Sequence, residues 1–98
     1  MEKDLEFIEL FEIYKDLLTD KQRELFSSHY LFDLSLSEIA EEDGGTRQSV
    51  YDAVKKVKKK LLEYESTLKI KEKKDKILLL TDEMDEKTAT ALREILER

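Results

Sequence analysis

The sequence predicts an all-α protein built around a helix-turn-helix, and three observations indicate this. Charged residues make up 43% of the chain, proline is absent and glycine occurs only twice, a composition that favours helices over sheets. Apolar residues recur at intervals of three and four along most of the chain. Ala40, Gly44 and Val50 follow Leu36 at the spacing of two helices joined by a tight turn. We expect residues 1–98 to form one helical domain, with the helix-turn-helix at about 35–60 and a helical tail at about 66–98.

Two helices are expected before the motif. Apolar residues spaced by three and four predict a first helix from about Glu2 to Leu18. Thr19 with Gln22 three residues later has the pattern of a capping box, so a second helix is expected to begin there and to end near Asp33.

The residues of the motif match the steric needs of a helix-turn-helix. Ser35 followed by Glu38 predicts a capping box at the start of the first motif helix, and Thr46 predicts the N-cap of the second. A small residue, a turn glycine and apolar anchors complete the set of predicted structural residues, which are Ile39, Ala40, Gly44, Thr46, Val50 and Val54. Asp43 and Gly45 stand where such turns usually carry apolar residues, so we expect a loose turn. The alternative is an αα-corner with the same packing and no ligand.

The second motif helix is predicted to extend far beyond a minimal motif. Its apolar residues are spaced 4, 3, 4, 3 and 4 apart, as in a coiled-coil seam, and they are Val50, Val54, Val57, Leu61, Tyr64 and Leu68. The side chains expected opposite this seam are Gln48, Asp52, Lys55 and Lys59, and those expected beside it are Arg47, Tyr51 and Lys58. The core-facing and solvent-facing residues therefore separate.

The C-terminal part has weaker periodicity. Residues 66–76 fit either a continued helix or a connection, and we interpret them as helix because two isolated strands would be only marginally stable. A last helix is expected to begin at Thr81 or Asp82, with an apolar stripe formed by Met84, Ala91, Leu92, Ile95 and Leu96. This stripe needs a partner surface, and together with the long seam it favours a homodimer.

Charge is distributed unevenly along the chain. The net charge is −6, but residues 46–76 hold 11 basic and 5 acidic side chains, whereas residues 1–45 hold 4 basic and 13 acidic ones. The positive charge therefore lies on the second motif helix and its extension. Because local field rather than net charge controls where a phosphate backbone docks, this favours a nucleic-acid partner over a merely solvated lysine-rich helix.

Other functional classes have little support. The chain has no cysteine, so thiolate chemistry and disulfides are excluded, and no cofactor or metal site is expected. His29 lies in an apolar stretch and is interpreted as a packed imidazole rather than a general base. The longest apolar run, Ile77 to Leu80, is far too short to span a membrane, and the acidic N-terminus does not resemble a signal peptide. We therefore expect a cytoplasmic protein that is not an enzyme and does not insert into membranes.

Nucleic-acid contacts are predicted on the second motif helix. Its first residues would meet base edges, where Arg47 can bond guanine and Gln48 can bond adenine. The residues expected to contact phosphates are Ser49, Tyr51, Lys55, Lys56 and Lys59. Asp52 would repel the phosphate backbone, and its alternative role is a helix ion pair with Lys55 or Lys56. The alternative is that these are ordinary exposed residues, since helix-turn-helix folds are also reused as protein-binding modules.

The segment from Leu17 to Glu65 resembles the YlxM-like family of small helical proteins. The resemblance rests on LLTDKQ, the spacing of Tyr30 and Asp33, SLSEIAEE, and TRQSVYD followed by a long helix ending in LLEYE; it does not extend beyond about Lys71. The family is similar in its motif to region 4 of bacterial sigma factors, and its genes commonly neighbour that of the signal recognition particle GTPase. The resemblance implies an all-α, sigma region 4-like helix-turn-helix bundle with a long fourth helix.

Two functional hypotheses follow, beside a third in which the motif is only a corner and the protein works through helix pairing without binding nucleic acid. The first, implied by the resemblance, is an accessory protein of the signal recognition particle that binds the particle's RNA or its GTPase. The second is a DNA-binding transcriptional regulator. Duplex RNA has a major groove that side chains cannot read, so RNA binding should depend on lysines more than on Arg47 and Gln48.

Overall fold

Six α-helices make up most of the structure, a computed structural model that describes residues 2–97 and the side chains of residues 4–97. The helices are α1 (Glu2–Tyr14), α2 (Asp20–Phe26), α3 (Leu36–Asp43), α4 (Arg47–Leu68), α5 (Ile70–Thr81) and α6 (Glu86–Leu96). A 3₁₀ turn (Lys15–Leu17) follows α1, and a π-helical turn (Ser27–Leu31) follows α2. No strand occurs within residues 2–97, so the prediction of an all-α fold is confirmed.

The predicted helix starts at Thr19 and at Ser35 are confirmed. The Thr19 hydroxyl accepts the Gln22 amide at 3.2 Å, and the Gln22 side chain accepts the Thr19 amide at 3.1 Å. Ser35 and Glu38 form the same reciprocal pair at 3.0 and 3.1 Å. Each pair satisfies two backbone donors that a helix start leaves without partners, and this is why α2 and α3 begin at these residues.

The core is centred on α4, against which α1, α2 and α3 pack. Its buried side chains are Leu10, Phe11, Tyr14, Leu18, Leu25, Phe26, Ile39, Ala40, Val50, Val54, Val57 and Leu61. Phe11 stacks on Phe26 with ring centroids 4.4 Å apart, and Tyr30 stacks on the Phe26 ring at 4.6 Å. These rings join α1 to the π-helical turn and hold the N-terminal helices in place behind α4.

The seam of α4 is buried only in its N-terminal two-thirds. Val50 through Leu61 are buried as predicted, whereas Tyr64 is half-buried and Leu68 is exposed. The helix then stops at Lys69, whose φ of 55° and ψ of 33° place it in the left-handed region. A left-handed residue ends the α-helical hydrogen-bond ladder, so residues 66–76 form two helices and not one continuous helix.

The α4–α5 junction is held by contacts from α1 and from the last turns of α4. The Tyr14 hydroxyl donates to Glu65 Oε1 at 2.6 Å and accepts the Ile70 amide at 3.1 Å. The Glu65 carboxylate also accepts the amides of Lys71 and Glu72, each at 3.0 Å. Four donors that would otherwise lack partners, the Tyr14 hydroxyl and the amides of Ile70, Lys71 and Glu72, are thus hydrogen-bonded. The direction of α5 is fixed by two side chains, those of Tyr14 and Glu65, that are more than 50 positions apart in the sequence.

The last helix begins later than predicted. Thr81 ends α5, and Asp85 is the N-cap of α6, since its carboxylate accepts the Thr88 amide at 3.0 Å. The predicted stripe is also partly wrong: Ala89 is buried, while Ala91 and Ile95 are exposed. α6 packs on α5, and Ala89 is the buried residue of α6. Ala91 and Ile95 lie on the solvent-exposed side of α6.

Candidate nucleic-acid interface

The turn between α3 and α4 has the geometry of a helix-turn-helix. Gly44 has φ 74° and ψ 15°, and its amide and that of Gly45 both donate to the Ala40 carbonyl. Ile39, Ala40, Val50 and Val54 are buried in the core between the two helices. The left-handed glycine reverses the chain within three residues, so α4 leaves the turn with its first residues exposed.

Thr46 is the N-cap of α4, and the Ser49 hydroxyl takes part in the hydrogen bonds of the same cap. The Thr46 hydroxyl accepts the Ser49 amide at 3.0 Å, and the Thr46 amide donates to Ser49 Oγ at 3.1 Å. Ser49 Oγ donates its own proton to the Thr46 carbonyl at 2.8 Å. Since a hydroxyl has only one proton, Ser49 has no second donor for a phosphate in this arrangement, and its clearest role is to begin the helix.

Arg47 and Gln48, which are predicted to contact base edges, lie in the first turn of α4, and both are exposed. Gln48 Nε2 donates to Asp52 Oδ1 at 3.0 Å, one turn further along. Asp52 forms no ion pair within the described part of the chain, so its predicted alternative role, a helix ion pair with Lys55 or Lys56, is not formed. The Gln48 amide, one turn before Asp52, hydrogen-bonds this carboxylate instead, and the bond also orients the Gln48 side chain.

The lysines of α4 form a basic face. Lys55, Lys56 and Lys59 are exposed, and no ion pair involves them among the residues whose side chains are described. Together with Asp52 and Leu62 they surround a shallow surface groove. The structure therefore brings together three of the predicted phosphate contacts, with a single carboxylate among them.

Lys58 also lines this groove, but its ammonium lies over two aromatic rings. It is half-buried, and its Nζ lies 4.8 Å from the centre of the Phe7 ring and 5.3 Å from that of Tyr30. A cation at these distances is attracted by the ring faces, so Lys58 ties α4 to α1 and to the π-helical turn.

Tyr51 does not belong to the same groove as the exposed lysines Lys56 and Lys59. It is 42% exposed and lines a second groove with residues of the π-helical turn, including His29 and Tyr30. His29 Nδ1 lies 2.9 Å from the Leu34 carbonyl, in agreement with its interpretation as a packed imidazole. Sequence reasoning did not single out this groove, because its two walls are about 20 positions apart and neither carries a recognisable motif.

A metal centre and a membrane-spanning helix are not found in the described part of the chain. No group of three or more histidine, aspartate or glutamate side chains among them is arranged to hold a metal ion. No helix within residues 2–97 combines the length and the apolar character required to cross a membrane.

Taken together, the left-handed glycine turn, the buried anchors and the exposed start of α4 define a helix-turn-helix protein, a non-enzymatic kind of fold. The chain belongs to the UPF0122 family of YlxM / p13-like helix-turn-helix proteins, whose model matches residues 1–97. The family match thus includes the C-terminal tail, which the resemblance found in the sequence did not cover.

Relatives from several bacteria match nearly the whole chain. A UPF0122 protein of Mycoplasma mycoides is 43% identical over 98% of this chain and 90% of its own length. One from Halalkalibacterium halodurans is 44% identical over 93% of this chain and 86% of its own. One from Clostridium botulinum is 38% identical over 98% and 92%, respectively. Membership of a helix-turn-helix family supports nucleic-acid binding as the class of function.

Proposed function

We propose that this protein binds nucleic acid through the basic face of α4 and performs no catalysis. The observation that carries the proposal is the set of exposed lysines, Lys55, Lys56 and Lys59, whose charges are not neutralised by acidic partners within the described residues. Such lysines displace counterions from phosphates and so supply most of the affinity for any nucleic acid.

The salt dependence of binding tests this proposal. Lys55→Ala combined with Lys59→Ala is expected to weaken binding and to flatten the plot of log affinity against log salt concentration. Each lost phosphate contact lowers the slope by about 0.9 for duplex DNA and about 0.7 for a single strand. Lys73→Ala with Lys87→Ala, two exposed lysines on α5 and α6, removes the same charge elsewhere. An unchanged slope in the first variant, or an equal change in the control, would contradict the proposal.

We further propose that the physiological partner is the signal recognition particle, bound through its RNA or through its GTPase. The support is the resemblance of Leu17–Glu65 to a family whose genes neighbour that of the GTPase, together with the dependence of RNA binding on lysines and shape. The test is a pull-down from lysate, with and without nuclease, reading both RNA and protein. Recovery of the particle RNA only without nuclease supports binding through RNA, and recovery of the GTPase after nuclease supports direct contact.

A DNA-binding regulator is the second candidate, and the exposure of Arg47 and Gln48 at the start of α4 favours it. Under this hypothesis, Arg47→Ala and Gln48→Ala abolish sequence preference on duplex DNA, since each base contact contributes about 1–3 kcal/mol of discrimination. Unchanged preference would leave the lysine-dependent hypothesis in place. Absence of any nucleic-acid binding at low salt would instead indicate a module that works through helix pairing.

A further inference from the structure

A groove of about 330 Å³ lies between α4 and the π-helical turn that follows α2. Three of its residues, Tyr51, Lys55 and Lys58, are spaced four and three apart and share one side of α4. His29 and Tyr30 form the opposite wall. Lys55 also belongs to the basic face, so the groove adjoins the surface to which phosphates are proposed to bind.

Among the aromatic residues of this groove, Tyr51 has a ring face on which no other ring stacks within the described residues. It is 42% exposed. Tyr30, by contrast, is stacked on Phe26 and lies beneath the Lys58 ammonium. A flat ligand that enters the groove would therefore stack on Tyr51, while Tyr30 is already held in the core.

His29 adds a hydrogen-bonding group to the opposite wall. Because the Leu34 carbonyl can only accept, His29 Nδ1 must carry the proton that forms the 2.9 Å contact. In the neutral imidazole the other nitrogen, Nε2, is then an acceptor. The groove thus combines an exposed aromatic ring, the His29 imidazole and adjacent lysines, which is the chemistry that proteins use to bind unstacked bases.

We propose that this groove binds one unstacked nucleobase of a single-stranded segment, with Tyr51 as the stacking surface and the neighbouring phosphates on Lys55 and the basic face of α4. The proposal rests on the proposed nucleic-acid binding and assigns its ligand class: a strand with at least one base free of pairing, such as a loop, a bulge or an end. A fully paired duplex keeps its bases stacked and cannot use the groove.

Binding of a labelled single-stranded RNA and of an RNA duplex of equal length tests the proposal. Tyr51→Leu keeps an apolar side chain but removes the ring, so it is expected to lower affinity for the single strand ~10-fold and to leave duplex affinity unchanged. Tyr51→Phe keeps the ring and should bind like the wild type. Lys59→Ala, which lies outside the groove, should lower affinity for both ligands.

The outcomes separate this proposal from the one on which it rests. If Tyr51→Leu and Tyr51→Phe bind the single strand equally well, or if Tyr51→Leu weakens both ligands to the same degree, the base-binding groove is overturned while nucleic-acid binding stands. If the wild type binds neither ligand at low salt, nucleic-acid binding fails and the groove proposal fails with it.

A second measurement requires no variant. A fluorescent base analogue placed in the single strand should change its emission when wild-type protein saturates it, because the base leaves its neighbours for the Tyr51 ring. Saturation without any change in emission would overturn base stacking in this groove.

Discussion

Gly44 is the residue on which the turn between α3 and α4 depends. Its φ of 74° lies in the left-handed region, where residues with a Cβ are strained. A Cβ placed there would meet no atom within 4 Å, so the requirement for glycine is conformational and not a matter of space. The sequence spacing alone predicts this residue as the turn glycine, because only a few residue types tolerate such a turn.

Gly44→Ala is expected to lower the free energy of unfolding by about 1–2 kcal/mol, the cost of forcing alanine into the left-handed conformation. Gly44→Asn is the matched variant, since asparagine tolerates this region better, and it should lose clearly less. Urea denaturation monitored by circular dichroism measures both. Equal losses in the two variants would contradict a conformational cause.

At the scale of elements, the direction of α5 depends on two side chains from other helices. Lys69, the residue before α5, provides no side-chain cap, and Tyr14 of α1 and Glu65 of α4 accept the first amides instead. Burial of Glu65 acts to raise its pKa, but the hydrogen bonds from Tyr14 and from the amides of Lys71 and Glu72 outweigh it and lower the pKa. Burial and the bond to Glu65 raise the pKa of Tyr14.

Glu65→Gln is expected to lower the free energy of unfolding at neutral pH by about 1–3 kcal/mol, because the amide of glutamine cannot accept all three bonds. The folded-state pKa of Glu65 lies below its ordinary value of 4.5. Its contribution is therefore present above about that pH and is lost as the pH falls through the folded-state pKa. The difference between wild type and variant should shrink in acid.

Thermal unfolding from neutral pH to acid checks this pH dependence. Glu63→Gln is the control, since Glu63 is an exposed residue of α4 that accepts no side-chain bond among those described. The two variants should differ from each other at neutral pH and converge in acid. A difference between Glu65→Gln and wild type that stays constant with pH would show that the carboxylate charge does not hold the junction.

The whole molecule is elongated, with extents of 54 × 25 × 24 Å, and its α5–α6 hairpin carries exposed apolar side chains. Leu79 is 71% exposed and Ile95 is 62% exposed. Burying such side chains against a second copy removes apolar surface from water, which favours association. The homodimer expected from the sequence stays a prediction, and this hairpin is the surface where we expect the two copies to meet.

Sedimentation equilibrium tests whether two copies of the chain form the predicted homodimer. The wild type is expected to sediment as a dimer, and Leu79→Lys with Ile95→Lys should shift it to the monomer, because burying two lysines at an apolar interface is costly. Leu17→Lys changes an equally large exposed side chain on the 3₁₀ turn and should leave the dimer intact. A wild-type monomer at high concentration would refute the prediction.

The fold class and the helix starts of the N-terminal half could be predicted because each depends on residues close together in the sequence. Ser35 and Glu38, or Thr19 and Gln22, meet within one turn, and their patterns were sufficient to place α2 and α3. The start of α6 was misplaced because Thr81 and Asp82 are also good caps by type. In the structure Asp85 is the N-cap of α6. The hydroxyl of Thr81 instead accepts a hydrogen bond from the Arg93 guanidinium at 3.3 Å.

The candidate site was predicted in part. The positions of Arg47, Gln48 and the lysines on the open side of α4 follow from helical periodicity, which is a local property of the chain. Three features could be seen only from the atomic positions. They are the hydrogen bonds of Ser49 within the cap, the bond from Gln48 to Asp52 and the groove beside Tyr51. The functional roles of all these residues remain predictions.

The sequence by itself determined that this protein is helical, that a helix-turn-helix lies in its centre and that its positive charge lies on one helix. These properties depend on composition, spacing and short-range hydrogen bonds. Only the tertiary structure decided the break at Lys69, the contact of Tyr14 with Glu65 and the placement of Tyr51 and His29 on opposite walls of one groove. The last two bring together residues far apart in the chain, and the break at Lys69 is held by the same Tyr14, which accepts the Ile70 amide. Such neighbours are set by how the helices pack around a shared core.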